Sequence, residues 1–331
     1  MSDRPTILVT GAAGDVGSVS TTMVGMLLDR GWPVRAFVRT DDDRADALRR
    51  AGAEVFVGDL LNIADVAAAL QGCRRVYFSV GLSPYYVDAN LLTIAAARRQ
   101  GGMEVFVNIS ESEQSLLTFD RMTEPESIRI PWLRGGVTQW SAQQRAHWIA
   151  EQALDWSGLP AAHVRASIFV ENPIFSWLPI PNLLSTGELR LPFADAKVAP
   201  IAAYDVAEVC VNILEDPAAH VGSTYTLVGP ELKTMYDFAD DYSAATGRSV
   251  TYVPQEDVEK WNVEYIDSTA GHNPHGGEHL KTLTRLMASG RYFDLPTDSL
   301  ADLLGREPKT MRFALTNSKR IQSNVASAAG L

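Results

Sequence analysis

A glycine-spaced turn, Gly11-Ala12-Ala13-Gly14-Asp15-Val16-Gly17, stands between a strand pattern, Thr6-Ile7-Leu8-Val9-Thr10, and a helical one. The helical pattern carries Val16, Val19, Met23, Val24, Leu27 and Leu28 on one face and stops at Gly31. A strand that reverses sharply into a helix excludes side chains at three points: the turn, the place where backbone meets a ligand, and the helix–sheet contact. The helix then offers free N–H groups and the positive end of its dipole, which suits a pyrophosphate. Strand, glycine triplet and helix in this order predict a dinucleotide site, with Gly11, Gly14, Asp15, Val16 and Gly17 against the phosphates. The alternative is a tight turn that merely packs.

The chain continues as an alternation. Strand patterns at 34–39, 54–58, 75–80 and 105–109 are separated by helical ones at 44–50, 63–70 and 87–100. This spacing implies right-handed βαβ units, hence an α/β fold with a doubly wound, Rossmann-like parallel sheet. Ligands of such sheets lie beyond the strand C-termini, so the residues that follow each strand are the candidates. Residues 111–139 break the pattern with Pro125, Pro131 and Gly135-Gly136, and a segment this long predicts a lid. A helix over 141–156 and a strand over 162–165 complete a cofactor-binding core at 1–165, with return segments near 198–228. Residues 166–318 are expected to form mainly a smaller C-terminal α/β lobe that binds substrate. It holds strand patterns at 224–228 and 249–254, helices near 235–245, 278–289 and 297–304, and an N-cap pattern at Asp205-Val206-Ala207-Glu208. Residues 319–331 lack periodicity and are expected to be disordered.

Composition excludes several classes of partner. A chain of 331 residues, 46% hydrophobic, buries a large core. Its net charge of −11 opposes phosphate attraction and no basic stripe interrupts it, so nucleic acid is not an expected partner. Cys73 and Cys210 make neither a metal set nor a disulfide framework, which suits a reducing compartment. The N-terminus shows no charged-then-apolar leader, and no apolar run reaches the roughly 18 residues of a membrane span. The expectation is a cytoplasmic protein with a small-molecule substrate and no membrane partner, and a homodimer is left open.

Position 39 bears on the cofactor. About 20 residues past the glycine turn an NAD site places a carboxylate on the ribose, whereas arginine accommodates a 2′-phosphate. Here the strand ends Phe37-Val38-Arg39-Thr40, so Arg39 favours NADP(H), although Asp41, Asp42 and Asp43 would equally accept it as a solvated cation. The run Asp41-Asp42-Asp43-Arg44 reads as a solvated cap of the next helix. By position, Asp59 and Leu60 border the adenine, and Ser79, Val80 and Gly81, continuing to Leu82, cover the pyrophosphate and ribose. Asp59 equally suits a helix cap.

The chain resembles the atypical short-chain dehydrogenases/reductases, and among them the NmrA-like group. The resemblance spans roughly residues 5 to 316. It is carried by residues 9–17 and 34–39, Val57-Gly58-Asp59-Leu60, His147-Trp148-Ile149-Ala150-Glu151, Ser157-Gly158-Leu159-Pro160, Phe169-Val170-Glu171-Asn172 and Gly305-Arg306-Glu307-Pro308-Lys309-Thr310. It implies an NADP(H)-binding fold whose C-terminal lobe closes over the nicotinamide, with Phe169 among the cofactor contacts. It does not imply one reaction, because the group divides between reductases and redox-sensing regulators.

One departure is informative. Members of the wider superfamily carry Tyr-x-x-x-Lys on the helix before the Ser-Gly-Leu-Pro stop, with a glutamate four residues past the lysine. Aligning Glu151 to that glutamate puts His147 at the lysine position and Gln143 at the tyrosine position, on one helix face. An amide is no phenol acid. His147 is left to bind a ribose hydroxyl, to relay a proton, or to pack beside Trp148. Ser110 ends the fifth strand where a catalytic hydroxyl often stands, with Ser112 nearby. Losing the phenol costs carbonyl reduction about 10² to 10⁴ in rate. Quinones, dyes, imines and enones remain feasible hydride acceptors because the cofactor carries the chemistry. Tyr85, Tyr86, Trp132, Trp140, Phe169, Phe175 and Trp177 are candidates to line a flat apolar pocket. The histidine-rich run His272-Asn273-Pro274-His275-Gly276-Gly277-Glu278-His279 has no ligand-spaced set, so no metal is expected; Glu278 and His279 read as a helix start, with the loop near the active-site mouth. The sequence thus predicts an NADP(H)-dependent oxidoreductase with Gln143, His147 and Ser110 at its centre, or alternatively a non-catalytic NADP(H)-binding sensor.

Overall fold

The computed structural model describes residues 4–14, 19–132, 139–269, 273–292 and 297–328. Its first half runs β1 (Thr6–Val9), α1 (Val19–Asp29), β2 (Val34–Val38), α2 (Asp43–Ala51), β3 (Glu54–Val57), α3 (Ile63–Leu70), β4 (Cys73–Phe78), α4 (Tyr86–Gln100) and β5 (Val105–Glu111). These elements follow the apolar alternation of the sequence within a residue or two. Asp42 caps α2 by accepting the Arg44 N–H at 3.0 Å, as the acidic run suggests.

Residues 111–139, aperiodic in the sequence, are partly helical. They form α5 (Glu113–Leu116), α6 (Phe119–Thr123) and α7 (Glu126–Trp132), with 133–138 outside the described residues. Helices of one or two turns are too short to leave a period in the sequence, although Thr118 caps α6. Next come α8 (Ala142–Ser157), started by a Ser141/Gln144 capping box, and β6 (Ala161–Ala166).

The second half runs α9 (Pro173–Ser176), α10 (Ile180–Thr186), β7 (Glu188–Leu191), α11 (Ala203–Glu215), β8 (Thr224–Leu227), α12 (Met235–Thr246), β9 (Thr251–Pro254) and α13 (Val258–Trp261). It closes with α14 (Pro274–Ala288), α15 (Leu300–Leu304), α16 (Met311–Thr316) and α17 (Lys319–Ala328). The main sheet has the order β3-β2-β1-β4-β5-β6-β8, every pair parallel, and β7 and β9 form a separate parallel pair. This is the doubly wound sheet with a smaller C-terminal lobe that the alternation implies.

One core lies between the sheet and α1, α11 and α15, a second between the sheet and α3, α4 and α8, and a third fills the lobe around Trp261, Phe175 and Phe238. Cys73 and Cys210 are buried and unpaired. No described helix is long and apolar enough to cross a membrane.

Two expectations are corrected here. Asp205 does not cap a helix: α11 begins two residues earlier, and Asp205, fully buried, takes the Arg306 guanidinium at 2.7 Å and the Lys309 N–H at 2.6 Å. The end of α11 is instead met by Glu171, whose carboxylate accepts the Ala203 N–H at 3.1 Å. Residues 319–328, expected to be disordered, form α17, which buries Ile321 in the lobe core. Two apolar contacts, Ile321 and Val325, on an otherwise polar helix give too little pattern to read.

Candidate active site

The strand ends build the site. The Thr10 hydroxyl donates to Ser79 O at 2.8 Å and accepts the Ser79 N–H at 2.8 Å, which clamps the end of β1 to that of β4. Gly11 follows at φ +64°, where a Cβ would lie 2.8 Å from Ser79 O, so only glycine fits. The Gly14 N–H closes the turn on Gly11 O at 3.0 Å. Among the described residues a Cβ on Gly14 would meet only Gly11 O, at 3.2 Å, so this glycine keeps open the space in front of the turn rather than a packing contact. A backbone cradle kept clear in this way fits a dinucleotide phosphate. Asp15, Val16 and Gly17 lie outside the described residues.

From this turn a cavity of about 290 Å³ runs across the C-terminal ends of β4, β5 and β6, under Leu280 and Leu283 of α14. Ser79, Val80, Gly81, Ser110, His147 and Phe169 all line it, as do Gly11 and Gly14. Tyr77, Glu111 and Glu113 line it too and were not singled out in the sequence, and so does His279, whose run was expected near the active-site mouth. Glu111 and Glu113 were within reach of the strand-end rule, because they follow Ser110 directly. Tyr77 carries no such signal.

Arg39, Asp59 and Leu60 stand away from the cavity, at the ends of β2 and β3. Arg39 is exposed and makes no hydrogen bond or ion pair with a described residue. Asp59 accepts the Leu61 N–H at 2.9 Å and shapes the turn before α3, whose cap is Asn62. The cation that touches the glycine turn is Arg44, which donates to Ala13 O at 3.0 Å. Gln143 is buried behind the cavity wall.

A polar network backs the apolar wall. Ser110 donates to Glu151, which is also held by Arg165 at 3.1 and 2.5 Å, so this hydroxyl is engaged within the protein. Glu111 Oε1 lies 3.1 Å from both His147 Nδ1 and His279 Nε2. Burial opposes ionisation of Glu111, but the His279 and His147 imidazoles outweigh it and hold the carboxyl well below the ordinary range. Glu113 goes the other way: burial first, then the charge of Glu111, push it up to about 8. For His279, burial disfavours the charged form, yet Glu111 raises its pKa on balance. Two adjacent carboxyls are thus driven apart, a pattern found where acid and base roles are divided.

Of the seven aromatic candidates, only Tyr86 and Phe169 line the cavity. Phe175 belongs to the lobe core, Trp132 and Trp140 pack at its margin, Trp177 lies under Arg320 and Tyr85 is exposed. Aromatic content in sequence does not tell a core from a cavity wall. Among the described residues no three His, Cys, Asp or Glu side chains are placed to hold a metal ion, and His272 lies outside them.

A Rossmann-like sheet with a glycine cradle and an adjoining cavity defines a dinucleotide-binding protein. Residues 11–217 match the model of an NAD(P)H-binding family, and the chain belongs to it. An NAD(P)H azoreductase of Xenophilus azovorans is 29% identical over 249 residues, covering 75% of this chain and 76% of the other. A (4-alkanoyl-5-oxo-2,5-dihydrofuran-3-yl)methyl phosphate reductase of Streptomyces griseus is 32% identical over 246 residues, covering 74% and 76%. Among solved structures, NmrA, a negative transcriptional regulator, in complex with NADP, superposes with a TM-score of 0.74 at 20% identity, covering 100% of this chain and 99% of the other.

Proposed function

We propose that the chain is an NADP(H)-dependent reductase of a flat or conjugated small molecule of the quinone, dye, imine or enone type. The observation that carries this reading is the continuity of one cavity from Gly11 and Gly14 to Phe169 and Leu283. Its volume of about 290 Å³ is near the lower end for small-molecule pockets, so it suits a nicotinamide ring and a small acceptor rather than a macromolecule. Two relatives whose names describe reductases support it.

In this reading the phosphates lie on the glycine turn and Ser79 to Gly81 flank the ribose. When bound, the cofactor supplies the hydride. Tyr86, Ile168 and Phe169 exclude water and orient the acceptor, and His147 borders the cavity where the superfamily uses lysine. The chain's residues position more than they react. NADPH consumption against quinones, cationic and azo dyes, imines and enones tests the reading. Turnover is expected with at least one class, and Gln143→Ala is expected to lower it less than about tenfold, where loss of a true proton donor costs about a hundredfold or more. A protein that binds NADPH tightly and turns over nothing would instead be a cofactor-sensing binding protein.

Arg39 sets the second expectation. Exposed at the end of β2 and spent on no described partner, it is free to pair with a 2′-phosphate. NADPH should bind at least about tenfold more tightly than NADH, measured by titration calorimetry. Equal affinities would place Arg39 in solvent.

A further inference from the structure

Four contacts determine where the ring proton of His147 sits. The backbone N–H of Ser83 can only donate, and it meets Gln143 Oε1 at 3.3 Å, so the oxygen of that amide faces it. The amide nitrogen is then the atom 2.8 Å from His147 Nε2. An amide NH₂ only donates, so Nε2 accepts with its lone pair and the ring proton belongs to Nδ1. Nδ1 lies 3.1 Å from Glu111 Oε1, within ion-pair distance though out of hydrogen-bond alignment, and a carboxylate oxygen there favours a proton on that side of the ring. On the far side, His275 Nε2 lies 2.8 Å from Gln143 Oε1 and must donate to it.

We infer that Gln143 is a positioning residue which, with Glu111, locks His147 as the Nδ1–H tautomer, so that the imidazole bordering the cavity has no Nε2 proton to give the acceptor. The inference rests on the reductase reading above and deepens it. A proton on Nε2 would set N–H against N–H unless the amide turned over, and turning over sets its NH₂ against the Ser83 N–H and forces His275 to change tautomer. The rest of the shell leaves the amide in place. Tyr86 packs edge-on at 4.6 Å with its hydroxyl on Ile109 O, His279 shares Glu111, and Glu151 is occupied by Ser110 and Arg165.

The lock narrows the substrate class. An iminium ion or a cationic dye is neutralised by the incoming hydride and consumes no proton. A quinone or azo bond takes up one hydride and one proton, and that proton comes from a source other than His147 Nε2. Gln143 therefore stands where the superfamily has an acid and keeps its neighbour from becoming one.

Long-range proton–nitrogen correlation spectra of ¹⁵N-labelled protein test this, with His147→Asn used to assign the ring. Wild-type protein at pH 7.5, a pH of about one unit above the reference value for histidine, is expected to show a pyridine-type Nε2 and a pyrrole-type Nδ1. Gln143→Leu, which keeps the bulk and removes the donor, should give a tautomer mixture, and Gln143→Glu should move the proton to Nε2. A pyrrole-type Nε2 in the wild type would overturn the inference, and so would an unchanged tautomer in Gln143→Leu. The wild-type spectrum depends on a variant for assignment alone, and its tautomer is read on the unaltered protein. It is also read without substrate, so a chain that reduces nothing would end the reductase reading while the tautomer still decides the lock.

Discussion

Gly14→Val is expected to weaken NADPH binding by roughly a hundredfold or more while the protein stays folded, because the added bulk enters ligand space rather than the core. Among the described residues the atoms near a Cβ at position 14 amount to one carbonyl, Gly11 O at 3.2 Å, so the backbone gives by a few tenths of an ångström. The valine methyls then stand where a phosphate must approach the turn. Titration calorimetry measures the loss, and circular dichroism with thermal unfolding checks the fold. A folded variant with normal NADPH affinity would show that the cofactor does not lie on this turn.

Gly229→Ala should act in the opposite sense, on stability first and on the site as a result. A Cβ at position 229 would lie 2.0 Å from Pro200 O and 2.6 Å from Pro200 C, and backbone cannot rotate away as a side chain can. The segment it would displace, 199–201, seats the cavity wall. Ile201 N–H donates to Ile168 O at 3.0 Å and Val170 N–H to Ile201 O at 2.9 Å, and Ile168 and Phe169 line the cavity. The expected cost is about 3 kcal/mol or more, a fall in Tm of about 4 °C or more for a chain of this length. Differential scanning calorimetry measures it, and unchanged stability would mean that the 199–229 contact is loose in solution.

The parts of the fold that could be read in the sequence are those written in one stretch of chain. Buried strands of four to seven residues followed by amphipathic helices fix the sheet, and the glycine turn marks where the sheet opens. The rule that strand ends carry the ligand found Ser79, Val80, Gly81 and Ser110. The rest of the site comes from contacts distant in sequence. His279 reaches Glu111 from 168 positions away, and nothing near either residue announces the partner. Asp205 and Glu208 mimic a helix cap because carboxylates three apart serve equally well to grip Arg306. Arg44 looked like part of a solvated acidic run, yet its length lets it span to Ala13 O. Local pattern gives the chemistry of a residue, and tertiary packing decides whom it meets.

The two thiols have a consequence for a protein that would handle electrophiles. Quinones and enones arylate or alkylate thiolates, so an enzyme that concentrates them is exposed to attack by its own substrates. Burial pushes the Cys73 thiol up to about 11, against a small opposing effect of Arg35, and raises Cys210 as well. Both sulfurs lie in the packed interior, one in β4 and one in α11, and stay protonated at any physiological pH. With no other cysteine in the chain, the folded protein offers a soft electrophile no reactive sulfur, and repeated exposure to such compounds leaves it without that route to self-inactivation.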